Sequence, residues 1–97
     1  MENKQHINEL KKSIEPILRK YQIKHATIVG SVAKGEEKAN SDIDIVIQLK
    51  EDISLLEFAK IKIELEENLL KKVDLIEKSA IKPRLRNNLL KDEIPIF

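Results

Sequence analysis

The sequence has 97 residues, 41% apolar and 36% charged, which allows one small hydrophobic core and excludes a disordered chain. Its 18 basic and 17 acidic side chains leave a net charge of +1, so the overall field steers toward neither nucleic acid nor a membrane surface. Three aromatic residues (Tyr21, Phe58, Phe97) are too few for a base-stacking surface, and the lack of cysteine excludes a disulfide scaffold or a thiolate zinc site.

No apolar run approaches the roughly 18 residues of a membrane span, and the N-terminal MENKQHINELKK lacks the apolar stretch of a secretory signal. A cytoplasmic protein of one domain, residues 1–97, is expected. Ile7, Leu10, Ile14, Ile17, Leu18 and Tyr21 recur at helical spacing and predict an amphipathic helix over about residues 3–21. Pro16 falls inside it, removes the hydrogen bond to the Lys12 carbonyl and is expected to kink it. His25 to Val29 reads as a short strand that stops at Gly30. From Ser41 the pattern becomes strict alternation, with Ile43, Ile45, Ile47 and Leu49 on one face and Asp42, Asp44, Val46 and Gln48 on the other.

Ser54 followed by Glu57 fits a capping box and opens a helix that runs to about Leu70. Its apolar positions, Leu55 and Leu56 through Ile63 to Leu69 and Leu70, form a stripe wider than one sheet contact requires. Such a helix is packed on two sides or carries a partner-binding face. Residues 72–77, KVDLIE, alternate as a third strand, with Asp74 on the opposite face from Val73 and Leu75. Pro83 suits the first turn of a last helix through Leu85, Leu89 and Leu90. The order helix, strand, strand, helix, strand, helix predicts an α/β (α+β) fold, a small mixed sheet flanked by helices.

Both glycines, Gly30 and Gly35, lie between the first two strands. A glycine that ends a strand can take backbone angles closed to other residues, and the N–H groups of the turn that follows can cradle a phosphate. A Gly-Ser pair by itself is usually an ordinary turn. Asp42 and Asp44 are more informative, because aspartate is disfavoured within a strand and alternation puts both on one face, ~6.6 Å apart at ~3.3 Å per residue. Two carboxylates so placed repel unless a cation or a proton intervenes. They form a solvated acidic edge or a site for a hard cation, and all-oxygen ligands favour Mg²⁺ or Mn²⁺ over Zn²⁺. Asp74 reads as an exposed-face residue, or as a third acid of the same patch if its strand lies beside that of Asp44. Neither His6 nor His25 has a metal-ligand partner at useful spacing, and both read as ordinary structural residues.

Gly30-Ser31, ten intervening residues and Asp42-x-Asp44 together form a pattern that resembles the nucleotidyltransferase superfamily of polymerase beta and kanamycin nucleotidyltransferase. The run GSVAKGEEKANSDIDIVI is most similar to the minimal nucleotidyltransferases, the antitoxin (MNT) partners of HEPN-domain toxins. The first helix, the VDLIE strand and the C-terminal LKDEIPIF resemble that family too, so the likeness covers nearly the whole chain. It implies a polymerase-beta-like fold in which Gly30 and Ser31 hold the triphosphate, assisted by Ser41 and Lys34. It further implies that Asp42 and Asp44 bind two Mg²⁺ and that Asp74 is the third carboxylate, near the acceptor hydroxyl. Lys34 stands where the family often has arginine, and Glu37 where a small residue is usual.

The resemblance therefore implies an enzyme that moves AMP from ATP to a hydroxyl, most naturally a tyrosine of a HEPN toxin, and thereby silences it. Two alternatives stay open: a contact-only antitoxin without catalysis, and transfer to a small-molecule hydroxyl such as that of an aminoglycoside. The apolar stripe of the Ser54–Leu70 helix and the tail Ile94, Ile96 and Phe97 are the candidate docking surfaces for the partner.

Overall fold

The computed structural model describes residues 2–36 and 42–97, with side chains from residue 6 onward; Glu37 and Ser41 therefore lie outside the described residues. The chain opens with helix α1 (Glu2–Lys20), whose Leu10, Ile14, Ile17 and Leu18 are buried at helical spacing. As the periodicity predicts, α1 runs as one helix with Pro16 inside it. A proline inside a helix costs ~3 kcal/mol. Each buried isoleucine or leucine returns ~1.5–3 kcal/mol, and Ile14, Ile17 and Leu18 all lie within two residues of position 16.

Strand β1 (Ile23–Val29) begins two residues earlier than the sequence pattern indicates, with an irregularity in its pairing between Ile23 and His25. A short helix, α2 (Gly30–Lys34), follows directly, and strand β2 (Ile43–Leu49) pairs antiparallel with β1. Helix α3 (Leu55–Leu69) is capped as expected, with the Glu57 backbone N–H donating to Ser54 Oγ at 3.1 Å. It crosses over to strand β3 (Val73–Glu77), which lies parallel to β2. After a 3₁₀ turn (Lys78–Ala80), helix α4 (Pro83–Leu90) starts on Pro83, and the chain closes with strand β4 (Ile94–Pro95) antiparallel to β1.

The sheet order is β3-β2-β1-β4, mixed as the element order predicts. Ile43, Ile45 and Ile47 join Ile28 and Val73 on one face, under Ile14 and Leu18 of α1 and Ile61 and Leu65 of α3. On the other face Val29 and Val46 pack with Ile81, and Leu89 and Leu90 of α4 close over them. Helices thus cover both faces, and the alternation of β2 decides which side chains meet which layer.

Two expectations change here. The tail proposed as a docking surface is a sheet edge: the Ile96 backbone N–H donates to the Ala26 carbonyl at 2.8 Å, and Ile96 is buried. Pro95 is tolerated because the strand lies at the edge, where no ladder donor is needed on its outer side. The stripe of α3, in turn, is not packed on two sides. Ile61 and Leu65 are buried, whereas Leu55, Leu56 and Ile63 are exposed.

Ile45→Ala should lower the unfolding free energy by ~2–5 kcal/mol, since Ile45 is fully enclosed between sheet and helices. Ser54→Ala, which removes only the α3 cap, should cost ~1 kcal/mol. Denaturant titration of both variants measures the difference.

Candidate active site

The start of β2 lies between the end of β1 and the start of β3. Asp44 pairs in register with Val29 on one side and with Asp74 on the other. The parallel β2–β3 ladder therefore supplies the adjacency that sequence alone left open, and two carboxylates stand side by side across neighbouring strands. Asp42 precedes the first paired residue rather than lying within the strand. The ladder begins at Ile43, whose backbone N–H donates to the Lys72 carbonyl at 3.0 Å. Asp42 is exposed and Asp44 half-buried. Asp44, Val46 and Asp74 share the sheet face of α4, opposite that of α1 and α3.

Gly30 forms the third side. Its φ of +76° lies in the left-handed region, where side chains with a Cβ are strained. An added Cβ would also lie 3.1 Å from the Asp44 carboxyl carbon and inside the contact distance of its oxygen. Glycine is thus required twice over, for the turn and for the approach of the backbone to the carboxylate. Ser31 follows it in α2, and its carbonyl accepts the Glu36 backbone N–H at 2.8 Å, which folds the turn back on itself. Lys34 ends α2 fully exposed and lines a shallow hollow with Ala33, Glu36, Asp92 and Glu93. The structure thus brings Gly30, Asp44 and Asp74 together, with Asp42 beside them, and sets Lys34 off toward acidic neighbours.

Burial pushes the Asp44 carboxyl up to about 6, and its hydrogen bond with Asp74 and the charges of Asp74 and Asp42 act in the same direction. A hydrogen bond between two carboxyl groups requires a proton, so the pair is arranged to hold one positive charge between its oxygens. Among the described residues no group of three acidic or imidazole side chains closes tightly enough to enclose a cation alone. Mg²⁺ does not need such a cage, because it is commonly held by one or two carboxylates with substrate phosphates and water completing its shell. The oxygen-only donors and the stored repulsion fit that ion.

A feature absent from the sequence reading is a cavity of about 200 Å³ farther along the same face. Thr27, Val46 and Gln48 form its floor, with Leu90 and Pro95 at its sides. The Thr27 hydroxyl oxygen is buried without a hydrogen-bond partner. Three distant segments of chain build this hollow, so no local pattern marks it.

The chain matches the family model of the polymerase beta nucleotidyltransferases over residues 12–97. It is 51% identical over 65 residues to a Methanocaldococcus jannaschii protein named as a candidate protein adenylyltransferase, covering 67% of this chain and 70% of that one. Its fold is similar to a solved structure described as a candidate minimal nucleotidyltransferase, with a TM-score of 0.81, 28% identity and coverage of 94% and 93% of the two chains. A toxin–antitoxin structure with AMP-PNP gives a TM-score of 0.80 at 20% identity, covering 90% of this chain and 72% of that one. A complex of a tri-AMPylated Shewanella oneidensis HEPN toxin with its MNT antitoxin gives 0.74 at 16%, covering 93% and 71%. At those identities the two complexes establish a shared fold alone.

The raised Asp44 pKa has a definite sign for stability. Its folded value, about 6, exceeds that of the unfolded chain, so the protonated carboxyl stabilises the fold at low pH. That contribution is lost as pH rises from about 4 through about 6. In EDTA, the wild-type Tm should therefore fall between pH 4 and pH 7 by more than that of Asp44→Asn, as read from melts of both proteins across that range.

Proposed function

The chain belongs to the polymerase beta nucleotidyltransferase family, and on that basis we propose that it is a Mg²⁺-dependent protein adenylyltransferase that acts as an antitoxin. It transfers AMP from ATP to a hydroxyl, a tyrosine in the first instance, of a HEPN-domain toxin in the cytoplasm and thereby neutralises it. The observation that carries this reading is the contact of Gly30 with Asp44 beside Asp74. It places the turn that would receive phosphates against two carboxylates that need a cation.

In this reading Asp42 and Asp44 hold Mg²⁺ (Mn²⁺ can replace it), with Asp74 completing the set. Bound there, the metal ions would neutralise charge on the attacking and leaving oxygens. Gly30, Ser31 and Ser41 bind the triphosphate, and Lys34 supplies an outlying positive charge. The acceptor oxygen forms a bond to the α-phosphorus, the bond from that phosphorus to its bridging oxygen breaks, and pyrophosphate leaves. The acceptor's proton passes to a carboxylate, for which Asp74, next to Asp44 at the rim, is placed. The shape of the site supports a protein acceptor. Pockets that enclose small substrates measure ~300–1,000 Å³. The hollow farther along this face, which none of the carboxylates lines, measures about 200 Å³ and has room for one ring-sized group. An acceptor that brings its own surface does not need enclosure.

Incubation with ATP, Mg²⁺ and the co-encoded HEPN protein should add about 329 Da, or a small multiple, to the partner's intact mass, the increment of adenylates transferred by displacement of pyrophosphate. Asp44→Asn and Asp74→Asn should still bind the partner and add nothing. Neutralisation of the partner with its mass unchanged would leave a contact-only antitoxin instead.

Gly30→Val should abolish ATP binding, because it strains the turn and drives a side chain into Asp44. Lys34→Ala should weaken binding no more than about five-fold, the worth of one exposed charge. Isothermal titration of both variants with ATP and Mg²⁺ distinguishes them, and equal losses would move the phosphates away from Gly30.

A further inference from the structure

Among the described residues, most of the exposed large apolar side chains belong to one helix and its cap. Leu56, Ile63 and Leu70 are 69%, 53% and 87% exposed, and they recur every seven residues down the outer face of α3. That is one apolar position per heptad, half of a full helix-pairing seam, with charged residues among the intervening positions. Leu70, the C-terminal cap, sits at φ +54°, a left-handed conformation that glycine adopts without strain. A leucine held there, pointing to solvent, extends the seam by one more step at a local cost.

The charges along the seam define the partner. At 100° per residue, Lys60 and Glu67 flank the seam on one side, and Lys62 and Glu66 on the other. Suppose a second copy of α3 lies antiparallel, related by a two-fold axis near Ile63. Ile63 then meets its own counterpart and Leu56 meets Leu70. Lys60 faces Glu67 along one flank, while Glu66, on the other, is taken up by the Val73 backbone N–H within its own chain. A parallel pairing instead sets Lys60 against Lys62, like against like. The surface is complementary to itself in one orientation only, as an isologous two-fold interface requires.

We infer that this chain forms a two-fold homodimer through antiparallel packing of the α3 outer faces. The carboxylates lie on the opposite side of the sheet from α3, so both candidate active sites stay open in the dimer and face away from each other. The same geometry argues against α3 as the dock for an acceptor protein, which would have to reach around the sheet to present its hydroxyl. The inference is independent of the transfer reading, because an inactive chain would pair in the same way.

Sedimentation equilibrium of the full chain across a concentration series should give twice the chain mass at the upper end. Ile63→Glu puts two like charges on the axis and should leave a monomer with an unchanged circular-dichroism spectrum, since Ile63 is already half exposed. Lys60→Glu should weaken the dimer by about ten-fold through its two symmetry-related contacts, and adding Glu67→Lys should restore it. A parallel dimer would be strengthened by Lys60→Glu, which overturns the proposed orientation. A monomer at every concentration, or a dimer indifferent to Ile63→Glu, overturns the interface. So does a monomer that uses this face only to bind the co-encoded acceptor protein.

Discussion

The register of β2 against β3 is the constraint on which the rest of the site depends. It puts Asp44 beside Asp74 on one face of the sheet, partly withdrawn from water, where two negative charges cannot coexist without a proton or a cation. A shift of one residue would turn one of the two carboxylates to the other face, into the layer of Ile43 and Ile45. That register is fixed from behind. Ile43, Ile45, Ile47 and Val73 must all reach the core under α1 and α3, and no slip by one residue preserves that. The hydrophobic face of β2 and β3 thus enforces an arrangement on the polar face that is unfavourable in itself.

Parallel pairing has a second consequence. Two parallel strands need a long connection, and here it is α3, which runs back over the sheet so that β3 can start beside the start of β2. The Glu66 carboxylate ties the end of this crossover to the strand it delivers by accepting the Val73 backbone N–H at 2.9 Å, one residue before Asp74. Stability and site geometry therefore share the same elements. The inner face of α3 anchors the carboxylate strands, while its outer face, remote from them, is left for association.

Gly30 joins the carboxylates to the turn. Its left-handed φ and its missing Cβ let the chain reverse against Asp44, so a phosphate received at the turn would lie beside the acids without any side chain between them. Under the proposed function, phosphate and metal would meet at this one glycine and one pair of strands. The sheet and its two helical layers take up most of the described residues, and a hollow of about 200 Å³ is left along the face of α4.

The sequence by itself determined the elements with strong periodicity and the chemistry of the motif. α1, β2, α3, β3 and α4 were all legible, because side-chain alternation and capping are local properties that survive any tertiary arrangement. The special character of Gly30 was legible for the same reason. Local signals failed where stability comes from distant partners. β4 exists because Ile94 and Ile96 find the edge of β1. Only the tertiary structure decided that Asp74 joins Asp44, that Lys34 lines a hollow with Glu36 and Glu93, and that the apolar stripe of α3 faces outward behind the sheet. Each of these depends on strand order or on which face of an element meets the core, and a linear pattern encodes the face but not the neighbour.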